Sequence, residues 1–172
     1  MSSPFRIEKT VHLKAPVSRV WRAVAEPAEF GRWFGVQLVG SFVPGEKVRG
    51  KFGALPPQEV FDDLARKAGL EPAPIKALDP DAVFCTIDRV EPETYFSFRW
   101  VPYGIDASID PVNEPTTLVE FRLEPEASGT KLTITESGFD RVPAHRRLRA
   151  FRMNDHGWTA QAENVKKHVD AA

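Results

Sequence analysis

Two carboxylates stand where alternation and helical spacing call for apolar side chains. Between Thr130 and Ser137, Leu132, Ile134 and Glu136 fall on one side of a strand. In the last segment Leu148, Phe151, Trp158, Ala162, Val165 and Val169 recur in steps of three and four, and Asp155 interrupts that stripe. A buried carboxylate without a partner costs several kcal/mol, so each is expected to be paired, protonated or near water. One reading puts Glu136 in solvent at a strand end and Asp155 on the helix edge. The other makes them polar anchors in an otherwise apolar ligand cavity lined by Trp33, Phe34, Phe98, Trp100, Phe121, Met153 and Trp158. Each of those seven taken alone also reads as plain core.

Other chemistry is poorly supplied. His12, His145, His156 and His168 have no second ligand at metal spacing, so no metal is expected. Ser137-Gly138-Phe139 lacks the G-x-S-x-G frame of a nucleophile elbow. Gly45, Gly50 and Gly53 are spaced wrongly for a phosphate loop, and no cofactor is implied. No catalytic residue is assigned. Arg146, Arg147, Arg149 and Arg152 with His145 form a basic patch, read as a solvated face or as a surface for an acidic ligand or partner. Gly157 within a helix costs about 1 kcal/mol against Ala, which predicts a close neighbour at that turn.

The chain has 172 residues and a formal net charge of -1, a size that suits one domain over 1–172 and a charge that points to neither nucleic acid nor an acidic membrane. Cys85 is the single cysteine, expected buried and inert in a reducing cytoplasm. Met1-Ser2-Ser3-Pro4 does not open a signal peptide, and no run of about 18 apolar residues predicts a membrane span.

The elements that must position these residues follow in order. Phe5, Ile7, Val11 and Leu13 alternate with polar neighbours as a half-buried strand. Pro16 opens a short helix carrying Val17, Val20, Trp21 and Val24, and Pro27 opens a second that Gly35 ends. Strands are predicted at Gln37–Val43 and Lys47–Phe52 around Pro44-Gly45-Glu46, then at Val83–Val90, Thr94–Val101, Thr116–Glu124 and Thr130–Ser137 as an antiparallel meander. Residues 53–82 read as an inserted loop with one helix at Glu59–Ala68, and Pro102–Pro115 as a second long excursion. A long helix from about His145 to Val169 closes the chain. The class is α+β: a curved antiparallel sheet of about six or seven strands covering one long helix, with two short helices after the first strand.

Seven local patterns occur together. They are Ala15-Pro16 leading to Arg19-Val20-Trp21-Arg22-Ala23-Val24; Trp33-Phe34-Gly35; Val43-Pro44-Gly45; Val90-Glu91-Pro92 leading to Phe98-Arg99-Trp100; Gly129-Thr130-Lys131-Leu132; Ser137-Gly138-Phe139; and Gly157-Trp158. In this order the chain resembles the activator of heat-shock-protein ATPase branch of the START/SRPBCC superfamily, with its birch-pollen-allergen-like helix-grip fold. The insertion at 53–82 and Asn154-Asp155-His156 before Gly157-Trp158 depart from the family pattern and affect the pocket mouth. The resemblance implies a non-enzymatic protein that binds a small hydrophobic or aromatic ligand between sheet and final helix. It also implies two alternatives: an interaction protein that activates a chaperone ATPase in a stress response, through the basic patch and the insertion, and a polyketide cyclase or dehydratase using Glu136 or Asp155 as acid or base.

Overall fold

The computed structural model describes residues 5–52, 55–79 and 82–171. Seven strands form one antiparallel sheet: β1 Ile7–Leu13, β2 Val36–Val39, β3 Lys47–Phe52, β4 Val83–Glu91, β5 Tyr95–Trp100, β6 Thr117–Glu126 and β7 Gly129–Ser137. Their order is β1-β7-β6-β5-β4-β3-β2, so β2 through β7 run as a meander and the first strand returns beside the last. Apolar alternation sets the face. Phe98 lies opposite Val119, Phe96 opposite Phe121, and Phe121 opposite Ile134, and all of these are buried.

Helices α1 (Val17–Ala25) and α2 (Pro27–Phe34) fill the gap between β1 and β2. Gly35 ends α2 in the left-handed conformation at φ 92°, which a side chain rarely adopts. The long helix, α4, spans Ala144–Asp170. The strand predicted at Gln37–Val43 is shorter than expected, stopping at Val39. Beyond it Phe42 turns inward, stacking on Phe96 at 4.9 Å and meeting Phe30 edge-on at 5.8 Å, and this burial outweighs further pairing along β3.

The insertion contains α3 (Gln58–Lys67), close to the helix predicted there. It is tied to the 102–115 excursion by an isolated antiparallel bridge between Ile75 and Asp106. Lys76 N–H donates to Ile105 O at 2.8 Å and Ala107 N–H to Pro74 O at 3.2 Å. The two long loops therefore behave as one platform against the first half of α4.

The buried face of α4 is shifted in that half. Arg146, Ala150 and Met153 are buried, whereas Leu148 is 41% exposed, contrary to the stripe expected from spacing. The loops cover a neighbouring face there, and only from Trp158 onward does the sheet select the predicted residues. Gly157 also departs from expectation: a Cβ built on it meets nothing within 4 Å. Gly157→Ala should therefore raise stability by about 1 kcal/mol through helix propensity alone. Urea unfolding checks this, and a loss of stability would show that the glycine has a packing role.

Candidate functional site

Glu136 is 0% exposed, and among the described residues it forms no ion pair. Sheet register builds its surroundings. Glu136 faces Val119 across the β6–β7 pair, while Thr117, two residues before Val119, pairs with Trp100 on β5. This brings the Trp100 indole and the Thr117 hydroxyl to Oε2, at 2.7 and 2.6 Å. Helix α4 supplies the rest: Trp158 Nε1 donates to Oε1 at 2.9 Å, and Asn154 Nδ2 reaches both oxygens at 3.0 and 3.2 Å. Asn154 and Trp158 are four residues apart and share one helix face.

Burial raises the Glu136 pKa above the ordinary carboxylate range, and the donors from Thr117, Trp100, Trp158 and Asn154 oppose that rise. The carboxylate is thus neither in solvent at the strand end nor an open anchor. Its acceptor positions are engaged by the protein, and its effect is to hold two indoles in fixed orientations.

Asp155 does not join this cluster. Its carboxylate, 43% exposed, pairs with Lys9 Nζ at 2.9 Å on the helix edge. Lys9 occupies the inward-facing alternation of β1 between Ile7 and Val11, a cation at an apolar position that answers the acid on the opposing helix.

The predicted aromatic residues do come together. Phe98, Phe121 and Trp158 are sealed in the core, with Phe121 and Trp158 centroids 5.9 Å apart. Trp33 is buried and spends its N–H on Ala23 O at 2.8 Å, so it fastens α2 to α1. Met153 is buried on α4. Phe34 and Trp100 are only half-buried; they meet at 6.0 Å, and both contact Phe84, at 5.3 and 5.7 Å. Phe52 packs on Phe84 at 6.0 Å and remains 37% exposed. Phe34, Phe52 and Trp100 therefore present a partly exposed aromatic wall whose inner end is fixed by Glu136.

The basic patch is not a solvated face. Arg147 donates to Val142 O at 3.0 Å and Asp140 O at 2.9 Å, Arg152 to Ala68 O at 2.8 Å, and Arg149 to Glu71 O. Arg146 is buried: it donates to Pro102 O at 2.6 Å and lies 3.3 Å from Glu114 and 3.6 Å from Asp106. Four guanidiniums thus meet the carbonyls of the surrounding loops. Spacing alone carried a signal for Arg146, which sits four and seven residues before the buried Ala150 and Met153.

Among the described residues no group of three His, Cys, Asp or Glu side chains is placed to hold a metal ion. Cys85 is buried, and burial pushes its thiol up to about 12, which suppresses thiolate chemistry. No helix among the described residues is long and apolar enough to cross a membrane.

Comparison with solved structures finds the same fold in a protein from Mesorhizobium loti, 20% identical, with a TM-score of 0.67 over 97% of this chain and 98% of the other. A protein from Nitrosomonas europaea is 17% identical with a TM-score of 0.62, over 99% and 97% of the two chains. DynU16, a protein of the dynemicin biosynthetic locus, is 22% identical with a TM-score of 0.61; it matches 96% of this chain, which spans 47% of DynU16. At these identities the likeness is one of fold. No curated protein matches the sequence. The family model described as Activator of Hsp90 ATPase homolog 1-like protein matches residues 14–170. Together with the seven-stranded sheet and the long final helix, that match places the chain in the Activator of Hsp90 ATPase homolog 1-like family, with the helix-grip fold of the START/SRPBCC superfamily.

Proposed function

We propose that this protein is a non-enzymatic binding domain for a small apolar or aromatic molecule, which docks on the wall formed by Phe34, Phe52 and Trp100 at the insertion end of the sheet. The observation that carries this reading is the partial exposure of three rings that all pack on the buried Phe84. Soluble domains seldom leave adjoining aromatic side chains uncovered without a use for them. Trp100 is pre-oriented by Glu136, so a flat ligand meets a rigid surface and little ordering entropy is lost on binding. Phe98, Phe121, Trp158 and Glu136 support the wall from behind. A single buried thiol suits the reducing cytoplasm, where we place the protein.

Tryptophan quenching and thermal shift against fatty acids, flavonoids, sterols and aromatic polyketides test the proposal. At least one aromatic class should quench Trp100 fluorescence, and Phe52→Ala should weaken that ligand about tenfold. Silence across the whole panel would overturn the reading. Of the two alternatives, a cyclase has little support from geometry. Asp155 is on the surface with Lys9, and Glu136 has no face open to substrate. Activation of a chaperone ATPase is tested by adding the protein to a purified heat-shock ATPase and following phosphate release.

A further inference from the structure

Away from the aromatic wall, and sharing no residue with it, a pocket of about 280 Å³ opens where the insertion, the 102–115 excursion and the start of α4 meet. Its lining includes Pro74, Asp106, Ala107, Ser108, Arg146 and Arg149. Three features give it a consistent electrostatic character. The N-terminus of α4 has no side-chain cap and no acid in its first turn, so the positive end of a 27-residue helix is unanswered. Arg149 reaches the Glu71 carbonyl and makes no ion pair among the described residues. Arg146, with a side chain 2% exposed, has Nη1 buried without a hydrogen-bond partner, although its other nitrogens are engaged.

Asp106 and Glu114 flank Arg146 and offset its charge, so the cation left over at the pocket is Arg149. Asp106 turns Oδ1 to the Ser108 N–H and hydroxyl, at 2.9 and 2.6 Å, and Oδ2 lies 3.6 Å from Arg146 Nη1, too long for a hydrogen bond. Glu114 meets the same guanidinium through Nε. One buried donor and one unpaired cation therefore remain at the pocket.

We propose that this pocket binds a small molecule through an oxyanion, a carboxylate or a phosphate group. The oxyanion pairs with Arg149 and accepts from the unmet N–H of Arg146, near the α4 N-terminus, with the carbon skeleton against Pro74 and Ala107. Charge-assisted bonds to guanidinium give such a site its strength.

Isothermal titration of the full chain with inorganic phosphate and, separately, with succinate at constant ionic strength tests the site and distinguishes the two groups. Arg146 is too deeply embedded to be the first variant. Arg149→Gln removes the accessible cation, and Ala107→Tyr fills the pocket at an exposed position without changing charge. Saturable binding of either anion, weakened about tenfold or more by both variants, supports the proposal. Binding of phosphate alone or succinate alone assigns the group. No binding of either anion, or binding that Ala107→Tyr leaves intact, overturns it, the latter because the anion would then be following surface charge. None of these outcomes bears on the aromatic wall.

Discussion

Glu136→Gln destabilises the fold by about 2 kcal/mol in urea unfolding at acid pH, although it conserves shape and removes a buried acid. The reason is the donor set. Thr117 can rotate its hydroxyl and Asn154 can reverse its amide, but the indoles of Trp100 and Trp158 only donate. They reach different oxygens of Glu136. Whichever way the glutamine amide is turned, its NH2 group therefore faces one indole N–H, and a buried donor loses its acceptor. Wild-type stability at the level of the variant or below, near pH 4, would show that the hydrogen bonds do not govern the site.

The same carboxyl sets a pH dependence whose sign follows from its shift. Because burial raises the folded-state pKa of Glu136 above 4.5, the folded protein holds this proton over a range where the unfolded chain has released it. Its contribution to stability is fully present below that unfolded value and is lost as pH rises through the folded pKa. The Gln variant has no such titration, so its deficit narrows as pH increases from about 4.5 upward. Glu29 and Asp170, whose pKa values are lowered, give slopes of the opposite sign in both proteins and cancel in the difference. A deficit that widens with pH would contradict the assignment of the raised pKa.

Arg146→Met has the larger effect, a loss of about 3–5 kcal/mol, the range for removing one partner of a buried charge cluster. Methionine fills much of the volume but leaves the Pro102 carbonyl without its donor and the carboxylates of Asp106 and Glu114 without their cation. Thermal unfolding measures the loss. Limited proteolysis locates it: cleavage within 102–115 should accelerate more than cleavage in β6. A change below about 1 kcal/mol would mean that the cluster is solvated in the native state.

Both of these residues show how far sequence reading reached. Period-two alternation placed Glu136 on the apolar face with Phe121 and Ile134, and the structure keeps it there. What alternation did not convey was depth, because the four donors come from β5, β6 and α4, and only the strand register and the helix rotation bring them to one point. Trp100 and Trp158 read in the sequence as apolar lining, and nothing in their spacing conveys the N–H groups that define the site. Asn154 stands out in the sequence only as a departure from the family pattern; its spacing to Trp158 is the available signal.

The strands, both short helices and the insertion helix were legible because each rests on local periodicity and on Pro or Gly at its ends. The first half of α4 was not. Its burial depends on two long loops whose paths no periodicity encodes, so spacing points Leu148 inward while the structure buries Arg146. The arginines looked solvated because their partners are backbone carbonyls, which leave no trace in residue type.

That last property has a consequence for how this scaffold can diverge. Arg149, Arg152 and Arg147 grip main-chain oxygen atoms, and every residue type carries one. The side chains at Ala68, Glu71 and Asp140, none of them buried, can therefore change without releasing the clamp, provided the chain keeps its path. New recognition surfaces can be written into the insertion while α4 continues to hold it in register.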